Sequence, residues 1–555
     1  MGVAINESIN FMETSAMKNT PVYLRPDVIA EPLINQWYAW IQLMSPATAA
    51  LNIKKRHLPI MESFINSPLM HMAACKNPKM MGGPFVNYEA HRVEEMKSLF
   101  EETKSIQKNL LVLAKALEEL NQLMEEEAGG FALESLYEKI PEVLRGYVEL
   151  EYDIYGKPCF RILEAMLYKS PYYEKQNQKV TLRISMEDQR PFMLSSPRLQ
   201  KEGELSLHIP FESQAYDDLF RSRTHPVELG KICEILGVSE EAIQHLFTEQ
   251  KHDSNSSNSH EKIKIRYFGH ACLLIESNSV NILIDPVLAY DTGKEPSRYT
   301  FYDLPPVIDY VLISHHHQDH IQLETMLQLR HKVKQVVVGS NLKGALQDPS
   351  IKLMLYYLGF RNVIELDEME EIPFDGGRIT ALPFMGEHHD LAIRSRLGYR
   401  IDVGEHSVTI LVDSCNISPE VYQRVFEHLG PTDMLFLGME CVGSPISWSY
   451  GALLPKAIEH NKDRSRRGRA SNFEEARNLI QIMKPRSMYV YAMALEPWLQ
   501  HILGLAYEED AVQMTESGKL IDWCLEQGIQ SARLYGKADF LPQNELIQIQ
   551  GGNYA

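Results

Sequence analysis

Apolar residues recur at positions 96, 99, 106, 110, 113, 117, 120 and 124, in a stretch otherwise rich in glutamate and lysine. This three- and four-residue spacing predicts one long helix from Met96 to Met124, closed by Gly129-Gly130. A stripe of this kind packs inside its own domain or makes a seam with a partner, a second copy of the chain included. Strand-like runs follow at Val180–Ser185 and Glu204–Ile209, so the first part of the chain reads as mostly helical α+β. Residues 251–262, KHDSNSSNSHEK, are polar, rich in serine and asparagine, and free of apolar side chains. They predict a linker between a domain at 1–250 and another at 263–555.

Beyond the linker the pattern changes to short β-rich runs with helical segments between several of them. The runs are Ile263–Tyr267, Cys272–Glu276, Asn281–Ile284, Val311–Ser314, Val336–Val338, Ile379–Leu382, Leu397–Val403, Val408–Val412, Met434–Leu437 and Met488–Tyr491. This order is that of an α/β protein and fits two sheets with outer helices, an αββα sandwich.

A chain of 555 residues is long enough for two or more domains with substantial cores. Its formal net charge of -19 argues against a nucleic-acid-binding surface spread over the whole protein, although a local basic patch remains compatible. Seven scattered cysteines with no C-x-x-C pair read as reduced thiols of an intracellular protein. Residues 1–20 lack the pattern of a signal peptide, and no apolar stretch reaches membrane-spanning length. The expectation is a cytoplasmic protein with neither a nucleic-acid nor a membrane partner.

The candidate chemistry starts at Ser314, where the run S-H-H-H-Q-D-H follows the apolar Val311-Leu312-Ile313. Within it His315, His317, Asp319 and His320 place four metal-binding side chains in six residues at the end of a strand, enough for a two-metal centre. Imidazole together with carboxylate suits zinc or iron. Other carboxylates also lie at strand ends: Asp285 after Ile282-Leu283-Ile284, Asp413 after Ile410-Leu411-Val412, and Glu440 shortly after Leu435-Phe436-Leu437. The segment Glu387-His388-His389-Asp390 follows the strand predicted at Ile379–Leu382. Strand ends gathered on one edge of a sandwich aim such groups from a rigid frame.

On these motifs the chain resembles the metallo-β-lactamase-fold superfamily from about residue 263 onward. The resemblance implies that Asp285 orients a histidine of the loop and that Asp413 bridges two metals. The chain departs from the superfamily's hydrolases twice. The stretch 488–495 contains no histidine where a last ligand is usual, and Glu387 stands beside the position of a third histidine ligand. More oxygen and less nitrogen shifts the expected metal from zinc towards iron.

The altered pattern is similar to that of the di-iron β-hydroxylases of nonribosomal peptide biosynthesis, of which the chloramphenicol-pathway enzyme is the type member. G-E-H-H-D at 386–390, G-M-E-C at 438–441 and the long N-terminal domain carry that likeness. The resemblance implies two iron ions held by His315, His317, Asp319, His320, Glu387 and Asp413, with Glu440 as a further donor. Glu387 and Asp413 are then the catalytic carboxylates. His388 and His389 are ligands or supporting groups. O2 would be the co-substrate, an aminoacyl-loaded carrier domain the partner, and an external electron donor or reductase a requirement. Without Glu387 and the histidine-free stretch, two zinc ions and hydrolysis of a phosphoester, amide or lactone would be the reading. The loop Arg464-Ser465-Arg466-Arg467-Gly468-Arg469 offers Arg466 and Arg467 to the phosphate of a phosphopantetheine arm or to an acidic carrier helix. Trp448, Tyr450 and Trp498 are candidates for the wall of a substrate pocket.

Overall fold

The structure is a computed structural model that describes residues 21–77, 80, 82–252, 263–341, 344–504 and 507–542. From residue 253 onward the linker expected at 251–262 lies outside the described residues. Two seven-stranded sheets dominate the second half of the chain. The first runs in the order Val363–Leu366, Val333–Gly339, Ile308–Leu312, Asn281–Ile284, Leu273–Glu276, Lys264–Tyr267, Ala538–Phe540. Its first four strands are mutually parallel, and the rest pair antiparallel. The second runs Glu371–Phe374, Gly377–Leu382, Gly398–Val403, His406–Val412, Met434–Gly438, Ser487–Tyr491, Gln530–Arg533, with its last four strands parallel.

Alternation along these strands explains the layers. In His406–Val412, Val408, Ile410 and Val412 point between the sheets, while Leu411 points outward. Met434 and Phe436 point inward, and Leu435 and Leu437 outward. Both faces are covered, so the central strands are apolar on both sides. The outer face of the second sheet packs on helices Pro419–Leu429, Phe473–Met483 and Val512–Glu526. The outer face of the first meets helix Leu323–Leu329 together with Val28, Trp37, Tyr38 and Leu182 of the N-terminal part, in one continuous core. That part holds a four-stranded sheet, Trp37–Tyr38, Val28–Ile34, Gln178–Ile184, Leu205–Leu207, which includes both strands expected there.

The long helix expected from Met96 to Met124 is two helices, Val93–Ile106 and Lys108–Glu127, broken at Gln107. The break has a packing cause. Met96 and Leu99 enter the core shared with the first sheet, whereas Leu110, Leu113, Leu117, Leu120 and Met124 enter a separate cluster with Ala47, Ala50 and Leu51. One straight stripe cannot serve both. Apart from exposed Ile106, the stripe is therefore covered inside the chain and offers no continuous seam to a partner. Among the described residues no helix is long and apolar enough to cross a membrane, and all seven cysteines are free thiols.

A buried charge cluster fastens the N-terminal part to the first sheet's helix. Arg190 Nη1 lies 3.1 Å from Glu31 and 2.8 Å from Glu324. Arg198 Nε donates to Glu31 at 3.1 Å, and the Tyr38 hydroxyl donates to Glu324 at 2.7 Å. Burial opposes ionisation of Glu31, but Arg198 and Arg190 outweigh it and hold its carboxyl well below the usual range. Removing the central cation leaves two carboxylates in the interior. Arg190→Met is expected to lower unfolding stability by about 3–5 kcal/mol. A change under about 0.5 kcal/mol in denaturant titrations would show that the cluster does not fasten the two parts.

Candidate metal centre

Strands Asn281–Ile284, Ile308–Leu312, Gly377–Leu382, His406–Val412, Met434–Gly438 and Ser487–Tyr491 deliver their C-terminal ends to one edge of the sandwich. Asp285, the His315–His320 loop, Glu387, Asp413 and Glu440 all follow those ends. Asp285 is fully buried and accepts from the Ser314 backbone N–H at 2.7 Å and from His320 Nδ1 at 2.9 Å. With Nδ1–H donated to Asp285, His320 presents the lone pair of Nε2 to the site.

Three groups of donors converge there: His315, His317, Glu387 and His388; His270, Asp319 and His320; and His315, His320 and Asp413. Within each group the ligand atoms lie within 4.8 Å of one another. His317 Nδ1 is 3.2 Å from Glu387 Oε1, and His388 Nδ1 is 2.6 Å from Glu387 Oε2. His320 Nε2 is 3.0 Å from Asp413 Oδ2 and 3.3 Å from Asp319 Oδ2, while His315 Nε2 is 3.9 Å from Asp413 Oδ2. Asp413 thus lies between the two halves of the site. Buried His315 Nε2, His320 Nε2, Glu387 Oε2, Asp413 Oδ1 and both ring nitrogens of His388 make no hydrogen bond. Polar atoms left this way are costly unless a cation takes their lone pairs, so the residues fit a two-metal centre. Nitrogen with several carboxylate oxygens is a donor set suited to iron.

Electrostatics agree with that fit at His315 and His388, whereas the carboxylates around His320 favour a proton there that a bound cation would displace. Burial, reinforced by the neighbouring imidazoles, holds His315 well below its ordinary pKa and so neutral, as a ligand must be. Burial likewise pushes His388 down to about 4, against the pull of Glu387. Burial opposes charge on His320 too, but Asp319 and Asp413 outweigh it and raise its pKa well above the ordinary value. Burial together with Asp413, Asp319 and Glu387 pushes Glu440 up to about 8. The carboxylates therefore crowd one another, and a proton or a metal must relieve them.

The backbone is strained at the same edge. Of twelve non-glycine residues with positive φ among the described residues, eight border the site: His270, Asp285, Glu387, His389, Asp390, Val412, Ala492 and Ala494. Val412, at φ 50, is β-branched and costs most. It sits at a register shift and turns the chain just before Asp413. Strain of about 1–3 kcal/mol per residue persists only where the surroundings impose it. Gly438 is required beside it, since a Cβ there would meet Asp413 Oδ1 at 2.7 Å.

A cavity of about 380 Å³ opens over the donors, lined by His317, Asp319, Glu387, His389, Asp413 and Glu440 on one side and by Phe192, Trp448, Arg467 and Gln513 on others. The arginine loop is divided in its placement. Arg467 lines the cavity, whereas Arg466 Nε donates to the His389 carbonyl at 3.0 Å and holds the 386–390 turn. Trp448 lines the cavity as expected of a pocket aromatic, and Tyr450 is buried against His317, 3.3 Å from its Nε2. Trp498 is packed in the core under Arg298, outside the cavity. The sequence reading passed over His270. It lies in the turn between Lys264–Tyr267 and Leu273–Glu276, its Nε2 3.0 Å from Asp319 Oδ2. Its carbonyl accepts from Ala492 N–H, so an imidazole from another strand end stands beside the histidine-free stretch 488–495. Its signal in the sequence is the pair Gly269-His270, one residue beyond the end of a strand.

A family model described as the diiron non-heme β-hydroxylase N-terminal domain matches residues 23–250, and a β-lactamase superfamily domain matches 280–489. The chain is 35% identical over 523 residues to the 4-amino-L-phenylalanyl-(CmlP-peptidyl-carrier-protein) 3-hydroxylase of Streptomyces venezuelae, covering 92% of this chain and 98% of that relative. The crystal structure of CmlA, a diiron β-hydroxylase from Streptomyces venezuelae, superposes with a TM-score of 0.87 at 34% identity, over 94% of this chain and 99% of that one. A UPF0173 protein of Pyrococcus abyssi is 30% identical over 176 residues, which is 32% of this chain and 69% of the relative.

The role of Asp285 as the partner that orients His320 can be tested without turnover. Asp285→Asn is expected to weaken metal retention against a chelator by about 10–100-fold while circular dichroism stays unchanged. Metal retention equal to that of the unmodified protein would show that Asp285 does not set the His320 ring.

Proposed function

The chain belongs to the diiron non-heme β-hydroxylase family, and from that premise we propose that it uses two iron ions and O2 to hydroxylate the β-carbon of an amino acid. The amino acid is held as a thioester on a carrier domain of a nonribosomal peptide synthetase. The observation that carries the reading is the carboxylate-rich donor set, in which Glu387 and Asp413 join the His315-x-His317-x-Asp319-His320 loop within one cavity. His315, His317 and Glu387 would hold one iron, Asp319 and His320 the other, with the Asp413 carboxylate within reach of both donor groups. Glu440 is a further oxygen donor at the wall. Iron bound there would supply the one-electron redox chemistry with O2 that zinc lacks.

The chain's own residues prepare the site for that chemistry. Asp285 fixes the His320 tautomer, and His270 steadies Asp319 through its hydrogen bond. Glu440, with its raised pKa, holds a proton on its carboxyl at neutral pH until a cation displaces it. Phe192 and Trp448 give the cavity an apolar wall against which a substrate side chain excludes water. Arg467 faces the opening and pairs with acidic groups of the carrier. Electrons come from outside the chain, through a separate reductase.

The reading is tested by presenting carrier domains loaded with different amino acids, with reductant and O2, and looking for a gain of one oxygen atom by mass spectrometry. Failure of every aminoacyl carrier, under conditions where iron is fully loaded, would sink it. Glu387→Ala is expected to lose one iron and all O2-dependent turnover, whereas His388→Ala keeps both; the reverse outcome would make His388 the ligand. Arg467→Glu is expected to raise KM for the loaded carrier about tenfold with kcat little changed. An unaltered KM would remove Arg467 from carrier recognition.

A further inference from the structure

A second cavity, of about 480 Å³, lies between the N-terminal part and the sandwich and shares Phe192 and Trp448 with the metal cavity. Its charged lining is Lys55 and Arg56, and no acidic residue lines it, although the chain as a whole carries a net charge of -19. Both cations belong to a single π-helical turn, Ile53–His57, set between helices Pro46–Asn52 and Leu58–Asn66. Such turns frequently interrupt helices at functional sites.

The turn carries three consecutive cations and is short of counter-charge. Lys54 pairs with Glu118, and Lys55 Nζ, 3.7 Å from the same carboxylate, donates to the Leu454 carbonyl at 3.0 Å. Arg56 Nη2 donates to the Trp448 carbonyl at 2.6 Å and to the Ser449 carbonyl at 3.4 Å. Arg56 Nη1 is buried and makes no hydrogen bond, and among the described residues no carboxylate pairs with this guanidinium. Burial pushes Arg56 down to about 10, which leaves it charged at neutral pH. A half-buried guanidinium with no anion and one nitrogen unsatisfied is costly, and its planar fork is suited to phosphate. The backbone at Gly82 closes on the same place: its φ is +71, and a Cβ would meet the Trp448 ring at 2.6 Å.

We propose that this second cavity is the phosphate subsite for the pantetheine arm of the carrier, with Arg56 and Lys55 as its counter-charges. The arm then passes the Phe192–Trp448 wall, whose ring centroids are 6.0 Å apart, and presents its thioester to the metal cavity. This inference rests on the carrier-bound reading of the substrate. It adds the direction from which the arm enters and gives the N-terminal part a residue that reads the phosphate.

The test is equilibrium binding of 4′-phosphopantetheine and of pantetheine to the full-length, iron-loaded protein under nitrogen, followed by tryptophan fluorescence. The unmodified protein is expected to bind the phosphorylated ligand about tenfold or more tightly, and inorganic phosphate is expected to compete. Arg56→Gln should bring the affinity ratio close to one, and Arg56→Lys, which keeps the charge, should retain most of it. A ratio near one in the unmodified protein, or a ratio unchanged in Arg56→Gln, would overturn the proposal; the latter includes equal loss of both ligands, the mark of a merely structural role. The measurement involves no turnover. A preserved ratio in a protein that fails to hydroxylate any loaded carrier would therefore refute the proposed reaction and leave the phosphate subsite standing.

Discussion

Four carboxylates, Asp319, Glu387, Asp413 and Glu440, share one buried cavity wall, and their mutual repulsion has to be answered by positive charge. The imidazoles around them answer only part of it: the carboxylates favour charge on His317 and His320, while burial holds His315 and His388 neutral. Two divalent ions carry as much positive charge as four carboxylates carry negative, and the unpaired donor atoms of His315, His320, Glu387 and Asp413 are placed to receive them. The rest of the site follows from this need. Val412 tolerates a left-handed backbone because it brings Asp413 between the two donor groups, and Asp285 is buried because one histidine ring must be fixed.

The sandwich supplies the rigidity that such a cluster requires. Both faces of its central strands are buried, so the strand ends cannot drift, and the strained turns that follow them are held from two sides. The N-terminal part belongs to the same mechanical unit. It shares a core with the first sheet and is fastened by Arg190 between Glu31 and Glu324. It also carries the turn Ile53–His57, whose Arg56 grips the backbone of Trp448 at the cavity wall. In this β-hydroxylase the domain that lacks metal ligands still shapes the approach to them.

Much of this was legible in the sequence. The ten strand runs read beyond the linker correspond to observed strands with ends shifted by a few residues, because two-sided burial leaves an apolar signature in each. The His315–His320 loop, Asp285 and Asp413 stood out because each directly follows such a run, and Glu387 because it opens the E-H-H-D segment a few residues beyond one. What stayed hidden depends on contacts between distant segments. The break at Gln107 arises because one apolar stripe serves two cores, which no periodicity records. His270 looks like a turn residue until the fold sets it against Asp319, and Arg56 looks like one more surface cation until burial removes its counter-charge. The separation of Arg466 from Arg467, and of Trp498 from Trp448, is likewise a matter of which way neighbouring side chains turn.

The central claim is that this carboxylate-rich edge is an iron site. Its most direct test is the metal content and the Mössbauer spectrum of full-length protein purified from medium replete in both iron and zinc. Two iron ions per chain in a coupled pair are expected, with little zinc. Two tightly held zinc ions per chain, together with hydrolysis of simple esters, would contradict it.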